Sequence, residues 1–482
     1  MGAWDAITGF GSVQPMLYAV FAVADLAAQE LMLFAGIWFL IGALDDLALD
    51  TVWFWQGCMS PPARLRLQDV PGDSPALTFA VFVPAWDEAE VIGDMVAHCL
   101  MRWPGQDYRL YVGVYANDSG TAAAARAKIG DDLRLRVVPL NIDWPTSKAD
   151  CLNRLWQALQ RDMAERRFFA DAVVLHDAED VVHPSELQVH RHWLATHDFV
   201  QLPVRPLIDP AARLISGHYA DEFAEAHARK MPVRGWLQVA MPCAGVGCAF
   251  RHSVLEALAA DSAGNAPFAQ DSLTEDYELG IRIHERGGRG AFVRVRDGQG
   301  DLVATRAYFP ADLGASVRQK TRWMIGIALS GWDRTGWGVG PGEIWMRARD
   351  RRSALAALVL VAGYLGLALW LVAGIGAVAG LYRIAPLDPA ARVLLVATGC
   401  TLIWRLVIRA GCTGWEHGAR EALWSLPRAF VSNIIAVMAA RRALMAYAAS
   451  LRGASLPWDK TRHRIPAAQL PMPTSQPFGR HG

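Results

Sequence analysis

Cysteine is scarce in this chain, and its seven cysteines show no paired spacing. An odd number of cysteines without a Cys-x-x-Cys pair argues against a disulfide framework and against a zinc site. We expect the closest two, Cys243 and Cys248, to be small buried residues in a reducing compartment. An excess of charge is also lacking, because 47 basic residues balance 47 acidic ones. This balance does not indicate a polyanionic partner, and we expect no nucleic-acid ligand.

Charged residues are nearly absent from two long apolar stretches. Ser353–Tyr382 contains none, and it is long enough to cross a bilayer. Leu26–Leu44 is apolar except for Gln29 and Glu30, and it predicts an N-terminal membrane segment within residues 1–60. A buried helix of a soluble protein is the alternative for this first stretch. Because hydrophobic residues make up 53% of the chain, we expect it to reside partly in a membrane.

Two shorter apolar stretches follow, and we predict membrane and interfacial helices over residues 341–452. Val393–Ile408 is interrupted by Arg405 and is a second candidate span. Ala429–Ala440 is bracketed by arginines, and we interpret it as an interfacial or re-entrant helix, with a third C-terminal crossing left open. Residues 453–482 are rich in proline and polar residues and are predicted to form a flexible tail.

Residues 70–335 alternate between strand-like and helix-like patterns. Buried strands are predicted over 76–83, 108–115, 133–140 and 173–176, each followed by a helical stretch. This alternation is typical of an α/β domain with a mostly parallel sheet. Later in the domain, Phe292–Arg296 and Leu302–Tyr308 flank a glycine-containing turn and predict a β-hairpin.

Three carboxylates follow the strand at Val173–His176, namely Asp177, Glu179 and Asp180. A buried strand cannot hide unpaired charges, so these acids should lie at the carboxyl edge of the sheet, where α/β folds bind ligands. Hard oxygen ligands suit Mg²⁺ or Mn²⁺ carrying a phosphorylated substrate. The alternative is a solvated acidic turn before a helix that starts near Ser185.

Five features occur in a characteristic order along the domain. They are Glu88 after the first strand, Asp118 after the second, the acidic triplet, Asp276 at a helix start, and Gln319-Lys320-Thr321-Arg322-Trp323. This order resembles that of the membrane-embedded family-2 glycosyltransferases. Those enzymes have a GT-A (Rossmann-like) fold, a DxD metal motif, a TED-type base motif and a Q-x-x-R-W acceptor motif.

Four sequence segments narrow the resemblance to a subgroup of these glycosyltransferases. Phe82–Ala89, Leu44-Asp45-Asp46-Leu47, His176–Asp180 and Trp458–Thr461 are similar to the glycosyltransferase part of the inner-membrane bacteriophage adsorption protein B family. The resemblance implies a multi-pass protein of the bacterial inner membrane. The basic flank near Arg66 agrees with an outside N-terminus and a cytoplasmic catalytic domain.

The resemblance also implies a site for a UDP-sugar. Glu88 and Asp118 would hold the uracil and ribose, Lys148 would pair with the diphosphate, and Ala85 and Asp177 would complete the nucleotide site. The alternatives are a helix-start charge for Glu88, a turn-forming role for Asp118 and a solvated Lys148. For the metal, Asp177 and either Glu179 or Asp180 match the DxD pair, and the choice between the last two stays open.

Asp276 is the expected general base, with Glu275 supporting it. It would accept the proton of the acceptor hydroxyl as that oxygen attacks the anomeric carbon. First-turn acids that only stabilise a helix capped by Thr274 are the alternative.

The acceptor is expected to lie near the membrane, at five residues that the family pattern selects. For the aromatic and basic members the alternative is a membrane-interface belt, and for the glycines it is a plain turn. The residues are Gly245, Gly247, Gln319, Arg322 and Trp323.

The sequence therefore predicts an inverting glycosyltransferase that transfers a sugar from a UDP-sugar to a growing surface polysaccharide or exopolysaccharide. UDP-N-acetylhexosamine is the donor expected at family level. The expected partners are a glycan or lipid-linked acceptor, the bilayer and an export partner in the cell envelope. Two alternatives remain open: a non-enzymatic inner-membrane scaffold of an export or phage-adsorption complex, and a metal-dependent phosphohydrolase.

Overall fold

A computed structural model describes residues 10–59, 65–70, 76–127, 132–144, 146–262 and 264–454. The predicted tail from residue 455, including Trp458–Thr461, and the start of the N-terminal segment lie outside these ranges. The cysteine prediction holds for Cys243 and Cys248, which are both buried, with their Sγ atoms 3.1 Å apart.

The centre of the protein is a seven-stranded sheet with the order β3-β2-β1-β4-β7-β5-β8. Its strands are parallel except for β7, which runs antiparallel to both neighbours. The strands are β1 Phe79–Ala85, β2 Tyr108–Val114, β3 Leu135–Pro139, β4 Ala172–Leu175, β5 Phe199–Gln201, β7 Cys248–Arg251 and β8 Gly290–Phe292. The four strands predicted first in the chain are all present.

Helices cover both faces of this sheet, which explains the continuous apolar strands. Phe79, Val81 and Val83 of β1 point into one hydrophobic cluster, whereas Ala80 and Phe82 point into the other. The helices of this domain are α2 Ile92–Arg102, α3 Ser119–Ala127, α4 Lys148–Ala164, α5 Glu186–Leu194, α8 His252–Ala260 and α9 Glu275–Glu285.

A second, two-stranded sheet contains the strand that ends the predicted hairpin. It pairs β6 Val204–Leu207 with β9 Thr305–Tyr308 in parallel. The chain does turn at this point, because the Val303 amide donates to the Val295 carbonyl at 2.8 Å. Arg296 and Leu302 form an antiparallel bridge, so a short hairpin is present, whereas β8 pairs with β5 and β9 pairs with β6.

The remaining α-helices lie near the four most apolar helices of the chain. They are α6 Arg213–Glu225, α7 Met231–Leu237, α10 Leu313–Met324, α11 Ser330–Thr335 and α12 Pro341–Arg351, with single π-helical turns at Ala226–Lys230 and Ile325–Leu329. Four described helices are long and apolar enough to cross a membrane: α1 Phe10–Met59, of which Pro15–Met59 meets the criterion, α13 Ser353–Val378, α14 Pro389–His417 and α15 Ala419–Ser450.

Helix α15 is much longer than the apolar stretch that predicted it. The arginines that bracket this stretch do not mark the ends of the helix, which spans Ala419–Ser450. Arg428 donates to Asp221 of α6 at 3.1 Å. Further along, Ile435 packs with Val317, and the Tyr447 hydroxyl donates to Asp333 at 2.7 Å. The helix therefore contacts the catalytic domain over most of its length.

Buried ion pairs join α1 to the helices that follow the catalytic domain. Asp46 accepts hydrogen bonds from Arg349 and Arg352, each at 2.7 Å, and Arg405 of α14 lies 3.2 Å from its other oxygen. The neighbouring Asp45 accepts a hydrogen bond from the Trp345 indole at 2.6 Å. A charge buried without a partner would be costly, so these contacts tie the three helices together.

Candidate active site

One cavity at the carboxyl ends of β1 and β4 brings together most of the predicted site residues. They come from five separate segments of the chain, from the end of β1 to α10. Those that line the cavity are Ala85, Glu88, Lys148, Asp177, Glu179, Asp180, Glu275, Asp276, Gln319, Arg322 and Trp323. Three predicted residues, Asp118, Gly245 and Gly247, are outside this lining, although Ala244 and Val246 belong to it.

The acidic turn after β4 is held by a buried histidine. His176 lies between Asp180 Oδ2 at 2.9 Å and Glu186 Oε1 at 2.8 Å. Burial alone would lower the pKa of His176, but these two carboxylates raise it to about 10. Both ring nitrogens then donate. Asp180 Oδ2 also accepts the Asp177 amide at 3.0 Å, so Asp180 is engaged in shaping the turn.

Lys148 begins α4, and its ammonium group reaches across the cavity. Its Nζ atom lies 2.6 Å from Asp177 Oδ1. Burial alone would lower the pKa of this lysine, yet Asp177, Glu275 and Asp276 together raise it. A lysine in these surroundings stays charged, and it places one cation among the acids from β4 and α9.

The carboxylate oxygens of this cavity suit a divalent metal ion that binds together with a nucleotide. Within the described ranges, no group of three or more His, Cys, Asp or Glu side chains is arranged to hold a metal ion. The acidic triplet is therefore not a preformed three-ligand site, because Asp180 faces His176. Asp177 and Glu179 still line the cavity. Mg²⁺ is commonly held by one or two carboxylates together with substrate phosphates, which matches this pair.

Asp276 and Glu275 lie in the first turn of α9, opposite the acidic turn. Burial raises the pKa of Asp276, even though Lys148 acts against this shift. Burial and the charge of Asp276 raise the pKa of Glu275 to about 7. A carboxyl group with a raised pKa is a better proton acceptor at neutral pH than an ordinary one.

Gly245 and Gly247 both adopt backbone conformations that favour glycine. Their φ angles are +76° and +58°, in the left-handed region that glycine favours. A Cβ atom at Gly245 would collide with the Asp276 carboxyl group, and one at Gly247 would collide with Thr305. The absence of a side chain at Gly245 therefore allows the backbone to approach Asp276 closely.

We expect Gly245→Ala to displace the Asp276 carboxyl group and to abolish detectable transfer while the protein still folds. Gly264→Ala is the matched control, because Gly264 also has a positive φ, +81°, but open space around it. Both variants carry the same kind of backbone strain, of about 1 kcal/mol. Equal activities of the two purified variants would show that contact with Asp276 is unimportant.

Asp118 stabilises the turn that follows β1. Its Oδ2 atom accepts the Asp87 amide at 2.6 Å, and its Oδ1 atom accepts the Thr121 amide at 3.1 Å. Asp87 has a φ of +53°, so the carboxylate stabilises an unusual turn next to Glu88. Of the alternatives for this residue, the turn-forming one describes its contacts.

Two tryptophans that the sequence analysis did not select form an aromatic wall of the cavity. The Trp86 and Trp144 rings stack with centroids 4.6 Å apart, and both line the cavity. Asn117 holds the second ring in place by hydrogen bonds to the Trp144 carbonyl at 3.0 Å and amide at 3.1 Å. Trp86 could have been selected from the sequence, because it comes shortly after a predicted buried strand. Trp144 has no comparable position in the sequence.

The other end of the cavity is aromatic and lies against α6. Trp323 contacts Phe223 and Phe309, with ring centroids 6.3 Å and 6.5 Å away. The Lys320 ammonium lies 5.0 Å from the Trp323 ring centroid and pairs with Glu222. Flat apolar rings beside a cation provide a surface on which a sugar ring can stack.

Comparisons with known proteins agree with this architecture. The model of the family described as glycosyltransferase like family 2 matches residues 75–326. Bacteriophage adsorption protein B of Escherichia coli (strain K12) is 30% identical over 500 residues, which cover 96% of this chain and 66% of that protein. Bacteriophage N4 adsorption protein B of Escherichia coli O157:H7 has the same identity and coverage. The chain thus spans 66% of the length of these relatives.

A solved structure confirms the predicted GT-A fold. The mannosyltransferase PcManGT from Pyrobaculum calidifontis, in complex with GDP-Man and Mn²⁺, superposes with a TM-score of 0.50 at 20% identity. The superposition covers 86% of this chain and 99% of that one. Since the family model spans more than half of the sequence, this chain belongs to the glycosyltransferase-like family 2.

Proposed function

We propose that the protein is an inverting, metal-dependent glycosyltransferase that transfers a sugar from a UDP-sugar to a growing surface polysaccharide. The observation that carries this proposal is the convergence of Lys148, Asp177, Asp276 and Arg322 on one cavity. These residues are far apart in sequence, and a scaffold would need neither a buried base nor a cation among acids. The fold alone would not support the proposal, because one fold can serve many activities.

In the proposed reaction the acceptor hydroxyl oxygen forms a bond to the anomeric carbon of the donor. The bond from that carbon to the UDP oxygen breaks, and its electron pair leaves with UDP. The acceptor proton goes to the Asp276 carboxylate. Attack from the side opposite the leaving group inverts the anomeric configuration, through a transition state with oxocarbenium character.

The negative charge that develops on UDP needs positive charge nearby. Lys148 and Arg322 line the cavity and supply two cationic side chains. Mg²⁺ or Mn²⁺, held by Asp177 and Glu179, would neutralise the diphosphate when it is bound. Ala85, Glu88 and the Trp86–Trp144 wall would bind the nucleoside, since aromatic rings stack on any nucleobase.

The acceptor would occupy the aromatic end of the cavity, near Gln319 and Trp323. We place the catalytic domain on the cytoplasmic side of a bacterial inner membrane, with α1, α13 and α14 as crossings. Helix α15 would lie along the membrane surface, because it contacts the catalytic domain from Arg428 to Tyr447. The catalytic domain would then lie at the surface of the bilayer, which suits a glycan or lipid-linked acceptor and an export partner.

The test uses the purified full-length protein with Mn²⁺ or Mg²⁺, a panel of UDP-sugars and GDP-mannose. We expect UDP release from one or a few UDP-sugars, and faster release with a glycan or lipid-linked acceptor. Release of GDP alone would refute UDP as the nucleotide of the donor, but it would still support a transferase. No release from any donor with any acceptor would favour the scaffold function.

A further inference from the structure

The two-stranded sheet has a second face, and of its residues only the last one of β9, Tyr308, lines the cavity. Val204 of β6 and Ala307 of β9 line the cavity. Successive side chains of a strand point to opposite faces, so Arg205 and Arg306 belong to the other face. These two arginines are paired in register across the sheet. Like charges in this arrangement are destabilising unless something compensates them.

The described part of the chain compensates this pair only weakly. Arg205 donates to the Glu416 carbonyl at 2.8 Å. Its pKa is nevertheless lowered, first by burial and then by the charge of Arg306. The Arg306 side chain makes no hydrogen bond or ion pair within the described ranges. Within the described ranges, the Arg306 guanidinium group therefore lies beside that of Arg205 and is not paired with a carboxylate.

Two further arginines extend this positive face. The guanidinium groups of Arg294 and Arg296 lie 5.2 Å and 5.8 Å from the ring centroid of Trp415. Arg294 pairs with the Glu416 carboxylate, whereas Arg296 donates to the Gly300 carbonyl at 2.8 Å. Among the described residues, the carboxylate of Glu416 is thus the one that pairs directly with this group of four arginines.

Other acids near this face have different partners. Asp297 lies 3.5 Å from His183. Asp301 is exposed and influences Arg205 only through its charge. Net positive charge therefore remains around Arg306.

The position of the cluster indicates what kind of anion it meets. Trp415 belongs to the last turn of α14, one of the helices apolar enough to span a membrane, and it is 52% exposed. Just beyond it, Leu423 and Trp424 of α15 are also exposed. Tryptophan and arginine at the end of a span are typical of the lipid headgroup region. The phosphates available there are those of phospholipids.

We propose that Arg205, Arg294, Arg296 and Arg306, together with Trp415, bind the phosphate of an anionic phospholipid headgroup. Guanidinium groups bind phosphate oxygens bidentately, and the bound charge would remove the repulsion between Arg205 and Arg306. Because the opposite face of the same sheet lines the cavity, the lipid would stabilise one wall of the active site. A ligand that binds only the folded protein raises its stability.

The test compares the full-length protein in nanodiscs of pure phosphatidylcholine and in nanodiscs containing phosphatidylglycerol. We expect phosphatidylglycerol to raise the melting temperature of the wild type but not of Arg306→Gln. Native mass spectrometry of the detergent-solubilised protein should show phosphatidylglycerol retained about fivefold more weakly by the variant, since one basic residue contributes about that factor near a membrane. In pure phosphatidylcholine the variant should melt at or above the wild-type temperature, because a like-charge pair has been removed.

The matched control is Arg126→Gln on α3, an exposed helix next to β2 and β3 at the far end of the large sheet. It removes one positive charge without touching the cluster, and it should behave as the wild type does. Equal lipid retention by Arg306→Gln and Arg126→Gln would overturn the proposal. An equal rise in melting temperature from inorganic phosphate alone would overturn the lipid assignment in favour of a soluble phosphate ligand.

Discussion

Asp276→Asn is expected to lower the rate of sugar transfer by about 10²–10⁴-fold while nucleotide binding is retained, because a general base contributes about this factor. The asparagine keeps the size of the side chain but cannot accept the acceptor proton. The measurement is UDP release with acceptor, alongside calorimetric binding of UDP with Mn²⁺. If binding is lost together with transfer, Asp276 has a structural role.

Two further readouts separate chemistry from folding. Because the pKa of the Asp276 carboxyl is raised in the folded protein, its ionised form lowers the free energy of unfolding above its ordinary pKa. Replacement by Asn removes this penalty, so the variant should be at least as stable as the wild type at pH 8. The wild-type rate should also fall at low pH, because protonation of the Asp276 carboxylate, whose pKa is raised by burial, removes the base.

The control for this variant is Asp271→Asn, at an exposed position in the segment that leads into α9. Its transfer rate and pH profile should match those of the wild type. A similar loss in both variants would show that any change of charge near the start of α9 impairs the protein, and it would remove the support for Asp276 as the base.

Asp177→Asn is expected to weaken metal-dependent UDP binding by on the order of 100-fold. Loss of a group that only orients a metal ligand already costs about 10–100-fold, and Asp177 would be a ligand itself. The variant also leaves Lys148 without its 2.6 Å partner, so binding without metal should change much less or even improve. The measurement is UDP affinity with Mn²⁺ and again with a chelator.

Asp150→Asn provides the comparison for this second variant. Asp150 lies in the first turn of α4, close to Lys148 in sequence, but it pairs with Arg154 and is not part of the cavity lining. We expect its Mn²⁺-dependent affinity to stay at the wild-type value. An unchanged affinity in Asp177→Asn would refute the metal assignment.

The first four strands and the acidic edge of the sheet could be predicted because they depend on local pattern. Buried apolar runs such as Val173–Leu175 must enter a sheet, and acids placed directly after them must lie at its edge. The resemblance to the family-2 glycosyltransferases added Lys148 and Asp276 to Asp177, and all three residues line one cavity although they are far apart along the chain.

The contacts of individual side chains could not be predicted, because they depend on which distant groups arrive beside them. Asp118 and Asp180 resemble ligand residues in the sequence, yet backbone amides and His176 take up their oxygens. The length of α15 was hidden for the same reason, since Arg428 ends an apolar run in the sequence but is neutralised by Asp221 in the fold.

The sequence by itself determined the fold class, the apolar helices and the set of chemical groups, because hydrophobic periodicity and residue type are properties of short segments. Only the tertiary structure decided that Gly245 must stay small for Asp276, that Trp86 meets Trp144, and that Arg205 and Arg306 share one face. Those outcomes follow from the pairing of remote strands and loops, which no local pattern contains.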